Sequence, residues 1–157
     1  MIIDVRPDQV TLVPDTPGVI TSCSGWNTIK FQSYLRDIIC RFKEEGIRSS
    51  IFVDPIPEMI VGAKKCGSDR IELYTENYAN GYNKNKKMAI ESYIEAAKKA
   101  IELGLGINAG HDLNLENLKY FSKEIPDLKE VSIGHALISD AIYLGLENVI
   151  QMYKRLL

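Results

Sequence analysis

Apolar positions along the chain follow two different spacings. Five short runs are rich in β-branched and apolar residues and stop abruptly at polar or Gly residues: Asp8–Val13, Ser49–Val53, Arg70–Tyr74, Gly106–Ala109 and Glu130–Ile133. Each has the length of one strand. Between them, apolar residues recur with a period of about 3.6. Phe31, Leu35, Ile39 and Phe42 form one such stripe, and Ile90, Ile94, Ala97 and Ile101 form another. Gly46 and Gly104 stand where a glycine closes a helix. Pro57 and Glu58 suit the first turn of a third helix. Asn114 is placed to cap the segment that begins Leu115-Glu116, and Leu146–Tyr153 is a further amphipathic helix. The run Asn80–Lys87, in which Asn and Lys interleave, reads as a solvated loop before a helix.

Strands that alternate with helices pair in parallel through right-handed crossovers. Five βα units in α/β order leave two architectures, an open doubly wound sheet or part of a (βα)8 barrel. A whole barrel takes about 250 residues, so the 157 residues of this chain do not close one alone. No linker-like stretch divides the sequence, which predicts a single domain over residues 1–157.

Composition narrows the class. Lys and Arg number 19 against 21 Asp and Glu, a net charge of -2. That balance argues against binding to nucleic acid or to an anionic membrane through bulk positive charge. Hydrophobic residues at 45% and charged residues at 25% are ordinary for a globular domain, which excludes disorder as the main state. No apolar run approaches the roughly 20 residues that span a bilayer, and Met1–Pro7 lacks the features of a signal peptide. Cys23, Cys40 and Cys66 are odd in number and have no CxxC spacing, which points to free thiols in a reducing cytoplasm.

In either parallel architecture, ligands meet the carboxyl ends of the strands. Both histidines of the chain fall there, in the near-repeat Ile107-Asn108-Ala109-Gly110-His111 and Val131-Ser132-Ile133-Gly134-His135. A strand-end glycine lets the backbone approach a ligand and offers its N–H to a phosphate oxygen. An imidazole beside it serves as general acid or base near neutral pH. His111, Asp112 and His135 also form a chemically reasonable metal-binding trio, but no supporting cluster accompanies them. Glu72 interrupts Ile71-Glu72-Leu73 inside a strand, on one face with Arg70 and Tyr74. In a barrel that face is the lumen, where an unpaired carboxylate is costly and is kept more often for function than for stability. The bland alternative is a Glu72–Arg70 or Glu72–lysine surface pair. The segment Val13–Trp26 is long for a βα connection and suits a lid, with Thr21 and Ser22 as donors to an anionic ligand. Nothing beside Cys23 lowers its pKa, and it is assigned no catalysis.

Thr11-Leu12-Val13-Pro14, Ile51-Phe52-Val53-Asp54, Ile71-Glu72-Leu73-Tyr74-Thr75, Gly106–His111 and Ser132–Ala136 occur in order. Together they resemble the pyridoxine 5′-phosphate synthase family over essentially the entire chain. The resemblance implies a TIM barrel of which this chain covers about the last five βα units. It also implies condensation of 3-amino-2-oxopropyl phosphate with 1-deoxy-D-xylulose 5-phosphate, without metal or organic cofactor. By motif position His111 corresponds to a proton-donating histidine and Glu72 to a glutamate that stabilises a transition state. Thr21 corresponds to a residue that binds deoxyxylulose phosphate, and Asp112, Gly134 and His135 to residues that bind the amino-oxopropyl phosphate. A cytoplasmic homo-oligomer, an octamer in the family, is also implied, with no nucleic-acid or membrane partner.

The chain departs from the family in three ways. Asp112 stands where Gly is commoner, and the lid wording differs around Thr21. The family's first three strands have no counterpart, so Met1–Val5 reads as the remnant of the helix before the fourth. With them go a catalytic histidine and a catalytic glutamate. The remaining five strands are expected to leave two open edges and an uncovered apolar inner face. An isolated chain of this kind is expected to be inactive and to associate. Two readings compete: another phosphate-handling barrel enzyme, or a catalytically dead piece that acts as a binding or assembly module.

Overall fold

A computed structural model describes residues 2–15, 18 and 21–157. In chain order the elements are α1 (Ile2–Val5), β1 (Gln9–Leu12), α2 (Gln32–Glu44), β2 (Arg48–Val53), α3 (Pro57–Lys65), β3 (Arg70–Tyr74) and α4 (Glu76–Glu102). They continue with β4 (Gly106–Gly110), α5 (Leu118–Glu124), β5 (Leu128–Ser132), α6 (His135–Leu144) and α7 (Leu146–Lys154). The five strands form one sheet in the order β1-β2-β3-β4-β5, and every neighbouring pair is parallel. This sequential order is that of a partial TIM barrel. Within the sheet, β1 and β5 each have one neighbour.

Alternation sorts the side chains of each strand to two faces. On the three inner strands the outward Ile51, Val53, Ile71, Leu73, Ile107 and Ala109 are completely buried. It packs with Leu35 and Ile39 of α2, Ile60 and Ala63 of α3, Tyr93 and Ala97 of α4, and Phe121 of α5 in one core. Gly46 and Gly104 adopt φ of +72° and +66° and close α2 and α4 as expected. Pro57 opens α3.

The inward face, expected from sequence to be apolar, carries Phe52 and Tyr74 packed on each other near the carboxyl ends but is otherwise mostly polar. Near the amino ends of the strands, Glu130 of β5 accepts from Arg70 Nη1 at 2.7 Å and from Arg48 Nη2 at 3.2 Å. Its other oxygen accepts from Asn108 Nδ2 at 3.1 Å and Gln9 Nε2 at 3.0 Å. Gln9 in turn accepts from Arg48 Nε at 2.8 Å, and Asn108 from Arg70 Nη1 at 2.9 Å. Gln9 lies on the first strand and Glu130 on the last. The sheet therefore curls far enough for its two edges to meet through side chains, and a closed polar ring replaces the apolar surface.

Three local readings are corrected. The run Asn80–Lys87 is helical, within α4, with one non-helical residue at Asn85 (φ −159°, ψ 90°). The Asn85 side chain accepts from Met88 N–H at 3.2 Å and so caps the following turns. Aromatic packing of Tyr82 on Tyr78 and Tyr120, with Lys86 Nζ 4.8 Å from the Tyr120 ring, holds this polar stretch in place. The buried face of α4 runs through Ile90, Tyr93, Ala96, Ala97 and Ala100, while Ile101 is exposed. Asn114 caps a turn, accepting from the N–H groups of Glu116 and Asn117, and α5 itself begins at Leu118.

Removing the hub of the polar ring leaves two guanidinium groups without their carboxylate. Hydrogen bonds to charged groups contribute about 1.5–3 kcal/mol, and solvent access to Glu130 reduces this. Glu130→Ala is expected to lower stability by about 1–2 kcal/mol in urea denaturation. A midpoint equal to that of the parent chain would contradict the ring's role.

Candidate functional site

A cavity of about 630 Å³ opens at the carboxyl ends of the strands. Thr21, Glu72, His111, Asp112, Gly134 and His135 all line it. Phe52, Asn80, Ser132 and Ser139 contribute as well, and of these the sequence reading singled out none.

Glu72 faces inward from the central strand and is 7% exposed. Its Oε2 accepts from Thr11 Oγ1 of β1 at 3.0 Å, and Ser132 of β5 lines the same cavity, near enough for its hydroxyl to favour the charged form. Oε1 lies over Gly110 so closely that a Cβ at that position would overlap it. Gly110 is therefore a glycine because of the carboxylate above it. Burial pushes the Glu72 carboxyl above its ordinary range; the Thr11 and Ser132 hydroxyls oppose this and the Glu130 charge adds to it. The alternative of an Arg70–Glu72 pair is not what forms, since Arg70 is held by Glu130 and Asn108.

His111 follows β4 with φ of +84°, and Asp112 has φ of +58°. A left-handed Asp is tolerable where most residues are strained, which also accounts for a glycine preference at such a position. Thr75 Oγ1 donates to Gly110 O at 2.9 Å and also to His111 O, while Asn117 Nδ2 donates to Asp112 O at 3.1 Å. The turn is thus pinned from both sides, as stored backbone strain requires. The edge of the His111 ring meets Tyr74 with centroids 4.9 Å apart. Its Nε2 lies 2.8 Å from Thr21 Oγ1. Nδ1 is 3.2 Å from Asp112 Oδ2 but is not aligned with it, and this buried nitrogen makes no hydrogen bond among the described residues.

His135 is the first residue of α6, and Gly134 precedes it as the helix cap. The first N–H groups of a helix have no intrahelical acceptor and carry partial positive charge, a ready anion site. Val13, Thr21 and Ser22 of the long β1–α2 connection line the same mouth. Trp26 N–H donates to Phe52 O at 2.8 Å, and Gly25 N–H to Asp54 Oδ2 at 3.1 Å. Ser22 Oγ donates to Asp15 Oδ2 at 3.0 Å, and its carbonyl accepts from Tyr74 OH at 3.3 Å. Tyr74 OH also donates to the Glu76 carboxylate. Thr16, Pro17, Val19 and Ile20 of the expected lid lie outside the described residues. Cys23 is exposed, as is Cys40, and Cys66 is buried; all three are free thiols. No group of three or more His, Cys, Asp or Glu among the described residues is arranged to hold a metal ion, and the trio His111, Asp112 and His135 does not form one. No described helix is long and apolar enough to cross a membrane.

Comparison with known proteins adds a family. The family described as pyridoxal phosphate biosynthesis protein PdxJ matches residues 1–157. The chain is 60% identical over 155 residues to the pyridoxine 5′-phosphate synthase of Flavobacterium johnsoniae, covering 99% of this chain and 65% of that protein. It is 59% identical over 157 residues to the synthase of Christiangramia forsetii, covering 100% and 66%. The chain thus spans about 65% of the length of such relatives. Among solved structures, the HMG-CoA lyase of Brucella melitensis aligns with a TM-score of 0.52 at 18% identity, over 74% of this chain and 48% of that one. That likeness is one of fold alone.

The raised Glu72 carboxyl has a signed consequence for stability. A group whose folded pKa exceeds its unfolded value binds protons more readily when folded, so its ionisation opposes folding as pH rises through that interval. Glu72→Gln is expected to stabilise the chain at neutral pH. The gain should shrink as pH falls and vanish below the ordinary glutamate range. Urea denaturation across pH checks this, and a difference independent of pH would contradict it.

Proposed function

The chain belongs to the PdxJ family of pyridoxal phosphate biosynthesis proteins, and on that premise we propose that it forms the larger part of a pyridoxine 5′-phosphate synthase. The reaction is the condensation of 3-amino-2-oxopropyl phosphate with 1-deoxy-D-xylulose 5-phosphate to pyridoxine 5′-phosphate, phosphate and water. The observation that carries this reading is the single cavity that gathers Glu72, His111 and the Gly134–His135 helix start at the carboxyl ends of parallel strands.

In this reading Gly134 and His135 bind the phosphate of the amino-oxopropyl substrate through the helix start and the imidazole. Asp112 binds at the edge of that site through its backbone. Thr21 meets the deoxyxylulose phosphate from the β1–α2 connection. His111 supplies a proton from Nε2, the nitrogen that faces Thr21 and the cavity. Glu72, held without a neighbouring cation, stabilises positive charge that develops on the condensing substrates.

The five parallel strands support a single domain over 1–157, and the same proposal assigns the synthase three more βα units, which complete the wall and supply further acid–base groups. The span of about 65% of the relatives' length supports this. A cytoplasmic setting is supported by the free thiols. A homo-oligomer is supported by Ile138, Ile142 and Tyr143, which are 56%, 76% and 87% exposed along α6.

The test is synthesis from both substrates, read by the fluorescence of the product. The 157-residue chain alone is expected to be inactive, and adding the family's first three βα units, in cis or in trans, is expected to restore turnover. In the restored enzyme His111→Asn should lower turnover by about 10²–10⁴-fold with little effect on substrate binding. No product from the completed barrel, or full turnover by the His111→Asn variant, would overturn the assignment.

A further inference from the structure

We infer that Thr11 is a positioning residue for Glu72: its hydroxyl reaches in from the first strand and holds the carboxylate toward the cavity, with Ser132 of the last strand lining the same space. The inference rests on the proposed synthase reading for its link to turnover, but its structural part stands on this chain alone.

Glu72 carries three side-chain torsions and sits on the middle strand of a curled sheet. The groups that face it come from every strand. On β1 it meets Thr11, and on β2 the neighbouring position is the apolar Phe52, paired in register with it. On β4 it meets Gly110, with Asn108 opposite in register. On β5 it meets Ser132 and the Glu130 charge. On its own strand the nearest cation, Arg70, is engaged by Glu130 and Asn108. Beyond the strand ends, His111 and Asp112 line the same cavity.

No cation is therefore spent on this carboxylate, and the Thr11 hydroxyl does the orienting. The Thr11 donor fixes Oε2 and leaves the remaining lone pairs of the group free toward the cavity. Gly110 provides the room for that orientation, and any side chain there would displace Oε1. Without the Thr11 hydroxyl the carboxylate regains rotamer freedom and loses a hydrogen bond that favours its charged form. The bond joins β1 to β3 across β2, so it depends on the curl that also closes the polar ring below.

The test uses the 157-residue chain with 13C-labelled glutamate, following the Glu72 carboxyl through a pH titration by NMR. Thr11→Val, of nearly the same shape, is expected to raise its midpoint by about one pH unit, the equivalent of one hydrogen bond to a charged group. Thr11→Ser should restore the parent value. Ser132→Ala should shift the midpoint in the same direction, which covers the case in which the first variant folds poorly. In the completed synthase, Thr11→Val should lower kcat about tenfold while KM changes little. Unchanged midpoints in both Thr11→Val and Ser132→Ala overturn the inference whether or not the synthase is active. Shifted midpoints with parent values of both kcat and KM overturn its link to turnover. Shifted midpoints with a completed parent barrel that makes no product uphold the positioning and remove the synthase reading instead.

Discussion

A carboxylate buried without a cation is the constraint around which the mouth of this sheet is arranged. Glu72 lies on the central strand, out of water, and burial disfavours its charge. The structure answers with the Thr11 hydroxyl from β1 and with a glycine at 110 that keeps the space above β4 open. Thr11 lies two strands from Glu72, so its hydroxyl reaches the carboxylate only because the sheet curls. Function and architecture are coupled at this residue: a flat arrangement of the same strands would place Thr11 and Ser132 out of reach.

The curl has its own support. Below Glu72, Glu130 joins Arg48, Arg70, Asn108 and Gln9 in one connected set of hydrogen bonds. Networks of this kind help only when each member is satisfied, and here the carboxylate uses both oxygens. Engaging Arg70 in the ring also keeps it away from Glu72 two residues along. One strand thus carries a neutralised cation at its amino end and an uncompensated carboxylate at the level of the cavity. The outward faces are largely apolar, so the helices supply the cohesion and the lumen supplies the chemistry.

The strands, their sequential parallel order, the closing glycines at 46 and 104 and the inward face of Glu72 were all legible in the sequence, because each depends on local periodicity or on a backbone requirement. The gathering of Thr21, Glu72, His111, Asp112, Gly134 and His135 at one cavity was legible through the rule that ligands meet strand ends. The polar ring was not. Gln9, Arg48, Arg70, Asn108 and Glu130 each read as an ordinary polar position on a half-exposed strand, and only curvature brings five strands' worth of them together. Thr11 and Ser132 were hidden for the same reason, although Thr11 shares the alternation face of Gln9, a signal within reach. The run Asn80–Lys87 was misread because its polarity suits a loop, whereas aromatic contacts at Tyr78, Tyr82 and Tyr120 keep it helical.

Everything proposed for this protein depends on phosphorylated ligand entering at the carboxyl ends of the strands and not at the charged amino ends, where Arg48 and Arg70 also invite an anion. Backbone amide shifts of the 157-residue chain, recorded by NMR during titration with 1-deoxy-D-xylulose 5-phosphate, distinguish the two ends. Perturbations concentrated at Thr21, Asp112, Gly134 and His135 are the expected result. Perturbations centred on Arg48, Arg70 and Glu130, with the amides at the cavity unmoved, would contradict the account.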